Sequence, residues 1–249
     1  MIDTQAPVSA VRAAHRRFIT AVSNLTTDQL TAPTALPGWT RAHVIAHVAD
    51  GGHAFANLTE LALRGELTAL FPGGGVERDE RIAKLAPSPD LMAHLDSGIA
   101  RLEAAWSAAG ADDWSRPVRF RNGTLTGTVF ARWREVWIHL VDCAIGITPA
   151  DWPEDLATHS IDFLRSRLPA GVALAATDTG QRWDPPTPEP TTPATAAPVT
   201  ATPETVAPVT VSGPVRDVAA WLAGREPTGP LAGPQVALSE WPPHPTPDR

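Results

Sequence analysis

Apolar residues recur at helical spacing in four stretches of the first 150 positions, and turn formers separate them. Val11, Phe18, Val22 and Leu25 predict an amphipathic helix over residues 6–25. Pro37, Gly38 and Trp39 make a turn, after which Thr40 can cap a helix running through Arg64 and stopping at Gly65. Pro72 to Gly75 reads as a loop. Ser88, Pro89 and Asp90 open a third helix, with the serine as cap and the proline in the first turn; it ends at Gly110. Residues 117–127 read as a short extended excursion that turns at Asn122 and Gly123, and a fourth helix follows from Thr128 to Gly146. Four such helices fit one bundle, the expected first domain over residues 1–150.

The pattern changes beyond that point. Pro153 to Leu168 fits a further helix, Val172 to Ala176 a short apolar strand, Val206 to Val211 a second strand and Pro214 to Gly224 a helix. Residues 184–210 are rich in Pro, Thr and Ala. Each proline lacks an amide donor, so a helix or central strand is excluded and an extended loop is expected. The expected second domain, residues 151–249, is thus a small α/β unit carrying that loop. The fold class expected is α plus α/β.

Composition narrows the function classes. A net charge of −7 and a pI near 5.6 argue against a general binder of nucleic acid or anionic membranes. No apolar run reaches the roughly 20 residues of a membrane helix, and the first residues hold no apolar signal core. A cytoplasmic protein is therefore expected. Cys143 is the single cysteine, so no internal disulfide can form, and without tyrosine no phenol can serve as acid or nucleophile.

Two segments carry candidate chemistry. HVIAHVAD spans His43 to Asp50, and EVWIHLVD spans Glu135 to Asp142. Residues four apart share a helix face, so Glu135 and His139 can point at one spot, and His47 can meet them from a neighbouring helix. Two imidazoles and a carboxylate suit zinc and leave a position open for water or substrate. Histidines at this spacing are also common as plain surface or core residues. Val44 and Ile45 follow His43, so this is not the His-Glu-x-x-His protease signature. His43, near the helix start, has an alternative role in packing or hydrogen bonding. Asp50 and Asp142 lie about one turn beyond candidate ligands and could orient them, or pair with an arginine such as Arg132 or Arg134.

At these residues the chain resembles the mycothiol-dependent maleylpyruvate isomerases, within the wider DinB-like metalloenzyme bundles. The resemblance is carried first by LPGWTRAHVIAHVAD (36–50) and REVWIHLVD (134–142). ERDERI (77–82), RLEAAW (101–106) and, for the second domain, VSGPVRDVAAWLAGR (211–225) support it. The resemblance implies a DinB-like four-helix bundle followed by a small C-terminal α/β domain, with the active site between them. It implies a divalent metal, zinc by ligand type, on His47, Glu135 and His139, with Arg78 and Arg225 serving the site. It implies mycothiol as thiol cofactor, a small dicarboxylate as substrate, and a place in gentisate catabolism. The reaction implied is cis–trans isomerisation of maleylpyruvate to fumarylpyruvate: a thiolate adds to the alkene, the resulting single bond rotates, and the thiol leaves. The Pro/Thr loop at 184–210 looks longer than the family usually carries.

Other residues have plainer readings. Cys143 fits a small apolar core position. Trp39, Trp133 and Trp137 fit core packing, though they could line a pocket. Arg78 sits in a charge run that could simply be solvated. His15, His53, His94, His159 and His244 show no partner motif. Three functions remain open: the isomerase, a mycothiol S-transferase acting on another electrophile, and a non-catalytic metal-binding bundle.

Overall fold

The computed structural model describes residues 5–185 and 209–242. The described residues up to Ile147 form one compact unit, and those from Thr148 onward form a second. The larger part of the expected Pro/Thr loop, 186–208, lies outside the described residues, as do 206–208 of the expected strand.

The first unit is helical: α1 (Gln5–Val22), the short α2 (Thr27–Thr31), α3 (Arg41–Leu63), α4 (Gly74–Leu85), α5 (Leu91–Ala108) and α6 (Leu125–Asp142). The long helices α1, α3, α5 and α6 make the bundle, with α3 packed on α5 and α6, and α1 on α6 and α5. In α1 the buried positions Val8, Val11, His15, Phe18 and Val22 form one stripe at intervals of three and four. Thr40 begins α3 as expected: its hydroxyl accepts from the His43 amide, and its own amide donates to His43 Nδ1. The hydrogen-bonding alternative for His43 thus has a definite geometry.

Glycines set how closely α3 and α5 approach. A Cβ at Gly98 would lie 2.9 Å from the Ala49 carbonyl oxygen, and one at Gly52 would lie 3.1 Å from the Gly98 carbonyl carbon. The backbones therefore nearly touch where both residues lack side chains.

Several elements differ from expectation. The loop expected at Pro72 to Gly75 gives way at Gly74 to α4, which the pattern did not reveal because Ile82 is its one buried side chain. The helix α5 ends at Ala108 and a 3-10 turn over Ala111–Ser115 follows. The turn at Asn122 is present: Arg121 and Asn122 have φ of 55° and 48°, and Pro117 bridges Thr124. That bridge ends at Thr124, so α6 starts at Leu125 rather than 128. Its end comes at Asp142, where the chain passes through Ala144 at φ 51°.

The second unit contains α7 (Glu154–Leu164), β1 (Val172–Ala176), β2 (Arg182–Trp183), β3 (Val209–Gly213) and α8 (Val215–Leu222). The sheet order is β2-β1-β3, with β1 antiparallel to β2 and parallel to β3. Val172, Leu174 and Ala176 alternate inward, as a half-buried strand requires. The strand expected over 206–211 is β3, and the two-residue β2 was too short to read. The helices α7 and α8 pack on each other, and α8 also covers β1 and β3. The chain thus combines a four-helix bundle with a small α/β unit, and none of its described helices is long and apolar enough to cross a membrane.

The glycine contact yields a test. Alanine favours a helix over glycine by about 1 kcal/mol. At Gly98 that gain is opposed by forcing the helices apart, which typically costs about 1–3 kcal/mol. Gly98→Ala is expected to lower stability in urea unfolding; a stabilised variant would show that the helices separate freely.

Candidate functional site

The site is assembled from α3, α4 and α6. Glu135 and His139, one turn apart on α6, face His47 on α3: His47 Nε2 stands 3.4 Å from Glu135 Oε1, and the His47 and His139 ring centres are 4.4 Å apart. The Trp39 ring, just ahead of α3, lies 5.4 Å from the His47 ring centre. His139 is oriented by the buried Asp142, whose Oδ2 is 2.9 Å from Nδ1. With Nδ1–H donating to Asp142, the tautomer leaves a lone pair on His139 Nε2.

The carboxylate of Glu135 is held on both sides. Oε2 accepts from Arg132 Nη1 at 3.0 Å, while Oε1 faces His47 and lies 3.6 Å from Arg78 Nη2. Room for it comes from Gly51, one turn after His47. A Cβ there would lie 2.6 Å from Oε1 and 3.0 Å from Arg132 Nη1.

Arg78 reaches the same place from α4. Its Nε donates to Asp50 Oδ2 at 3.2 Å, its Nη2 approaches His47 Nε2 at 3.4 Å, and its guanidinium carbon stands 3.8 Å above the Phe71 ring centre. Asp50 also accepts from Arg81, and that hydrogen bond raises the Arg81 pKa. Asp50 therefore pairs with arginines of α4, not with Arg132 or Arg134, and Asp142 orients His139.

The donor chemistry fits a divalent ion of zinc type. Two donors on one tetrahedral zinc, with bonds of about 2.1 Å, stand about 3.4 Å apart. That matches the His47–Glu135 separation, which is long for a charge-assisted hydrogen bond. Among the described residues, however, no group of three or more His, Cys, Asp or Glu side chains is placed so that it could hold a metal ion as it stands.

A family model, that of the mycothiol maleylpyruvate isomerase N-terminal domain, matches residues 11–144. Two solved structures are also similar to this chain: the mycothiol-dependent maleylpyruvate isomerase at 27% identity, and a histidine-to-alanine mutant of it at 26%. Each has a TM-score of 0.76 and covers 97% of this chain and 97% of its own. No curated protein matches.

The chain belongs to the mycothiol-dependent maleylpyruvate isomerase family.

In this family member the remaining candidates have surroundings of their own. Cys143 follows α6, fully buried, and burial pushes its thiol up to about 12, so it is a poor thiolate. Trp133 and Trp137 are buried in the bundle. Arg225 belongs to the second unit, just after α8, and its Nη1 donates to the Ala223 carbonyl.

Sequence reasoning missed the support behind Glu135. Arg132 is fully buried; its Nε donates to His15 Nε2 at 3.1 Å and its Nη1 to the Val48 carbonyl at 2.8 Å. His15, to which no role was assigned, places Nδ1 2.8 Å from Glu103 Oε1. Two signals were present: Arg132 lies one turn before Glu135, and Gly51 one turn after His47.

His15 is held neutral. Burial, aided by the nearby Arg132 charge, lowers its pKa from 6.5 to about 4 against the raising effect of Glu103 and Glu135. An unfolded histidine protonates near 6.5, so between these values the unfolded state takes a proton that the folded state refuses. Stability present above pH 6.5 is therefore lost as the pH falls towards 4, by on the order of 3 kcal/mol. Urea unfolding between pH 7 and 4.5 checks this. His15→Gln should show a shallower acid loss, and an unchanged slope would remove His15 as the cause.

Proposed function

We propose that this chain is a mycothiol-dependent cis–trans isomerase that converts maleylpyruvate to fumarylpyruvate in the cytoplasm, within gentisate catabolism. Its metal, zinc by donor type, is held by His47, Glu135 and His139. The observation that carries the reading is the convergence of these three side chains from α3 and α6, with the Arg78 cation beside them. The two similar solved structures are of a mycothiol-dependent maleylpyruvate isomerase, which supports the choice of thiol and substrate.

When bound, the metal favours a thiolate or polarises a carbonyl, and mycothiol supplies the sulfur. The chain's own residues do the positioning. Asp142 keeps His139 Nε2 available, and Gly51 leaves space for the Glu135 carboxylate. Arg78, steadied by Asp50 and Phe71, offers a planar fork to a substrate carboxylate. Arg225 is proposed for the second carboxylate on the family resemblance alone. Cys143 is left out of the chemistry because its thiol is buried and resists ionisation.

An assay of the purified protein with maleylpyruvate, with and without mycothiol, tests the reaction. Fumarylpyruvate should form only with mycothiol, and Cys143→Ala should retain most of the rate. Turnover without any thiol would overturn the reading, and accumulation of a thiol adduct in place of fumarylpyruvate would replace it with an S-transferase.

The ligand set has its own test. His47→Ala and Glu135→Ala each remove one of three protein donors, so elemental analysis should find little metal in either, and activity should vanish. Full metal occupancy in both would sink the assignment.

A further inference from the structure

Glu135 is the one proposed donor with two equivalent atoms, and the structure treats them differently. Oε2 is taken by Arg132 Nη1 at 3.0 Å; Oε1 is turned toward His47. The guanidinium that makes this distinction has no exposed surface and is held through two of its three nitrogens. On one edge Nε donates to His15 Nε2, and Nη1 serves the Val48 carbonyl and Glu135 together. His15 can accept because its other nitrogen donates to Glu103, and its ring is stacked 6.1 Å from the Trp106 ring.

We infer that Arg132 is a positioning residue: its guanidinium fork, fixed by His15 and by the Val48 carbonyl, commits Glu135 to presenting a single oxygen to the site. The inference deepens the proposed metal site and rests on that reading for its metal-binding consequence. Its structural part, the orientation of the carboxylate, stands without any metal.

A lysine at 132 would keep a positive charge but lose the planar fork. One ammonium cannot hold the His15, Val48 and Glu135 acceptors in the same plane. If charge alone mattered, lysine would substitute. If fork geometry matters, the carboxylate turns, both oxygens become available, and coordination changes. Partners behind a ligand typically contribute about 10- to 100-fold in metal affinity.

The test uses the full chain carrying Arg132→Lys. Zinc affinity is read by chelator competition, the cobalt-substituted protein by its visible absorption, and the metal-free variant by crystal structure. Expected are a cooperative melt that shows the variant folded, a 10- to 100-fold weaker affinity, an altered cobalt spectrum and a rotated Glu135 carboxylate. Wild-type affinity, spectrum and carboxylate orientation in the folded variant would overturn the inference. If Arg132→Lys does not fold, His15→Leu decides. It removes the acceptor of Nε and should rotate the guanidinium and the carboxylate with it, whereas an unchanged Glu135 would reject the idea. If the wild type binds no zinc or cobalt, the metal reading fails, and the metal-free crystal structures alone decide the role of Arg132.

Discussion

The bundle's site depends on one buried ion pair. Removing a guanidinium from water is costly unless its donors find partners and its charge finds a counter-charge. Arg132 meets most of that demand by reaching three elements: His15 on α1, the Val48 carbonyl on α3, and Glu135 on its own helix, while its buried Nη2 has no hydrogen-bond partner among the described residues. Burial draws its pKa down and Glu135 draws it back. The pair therefore ties α1 and α3 to α6 at the level where His47 and His139 stand. Replacing Arg132 alone would leave the half-buried Glu135 carboxylate with only the more distant Arg78 as counter-charge, so the site and the bundle share a vulnerability.

The same level of the bundle is where α3 lacks side chains. Gly51 admits the Glu135 carboxylate, and Gly52 admits the backbone of α5 at Gly98. Adjacent glycines in mid-helix are unfavourable on propensity alone. Here they face different neighbours, one polar and one backbone, and neither neighbour tolerates a Cβ at its present distance.

What the sequence made legible follows from the range of the interactions. Thr40 and the turn before it announced α3, because capping is settled within four residues. The Glu135–His139 face was legible for the same reason, and so was the alternation of β1. The helix α4 was hidden: it starts at glycines and buries only Ile82, so its charge run gave no apolar stripe, although it delivers Arg78. His15 and Arg132 are 117 positions apart, and no local pattern marks such a pair. Arg78 was reached through the family resemblance, and the structure supplies its local partners, Asp50 and Phe71.

The family model covers residues 11–144, the part of the chain that carries all three proposed donors and Arg78. The central claim is therefore a claim about the bundle: that His47, Glu135 and His139 share one divalent ion. The most direct measurement is an anomalous difference map, recorded across the zinc edge, from crystals of protein purified without chelator. The account expects one strong peak at about 2.0–2.2 Å from a nitrogen of each histidine and from Glu135 Oε1. An enzyme that remains active with mycothiol while its crystals show no peak there, or a peak elsewhere, would contradict it.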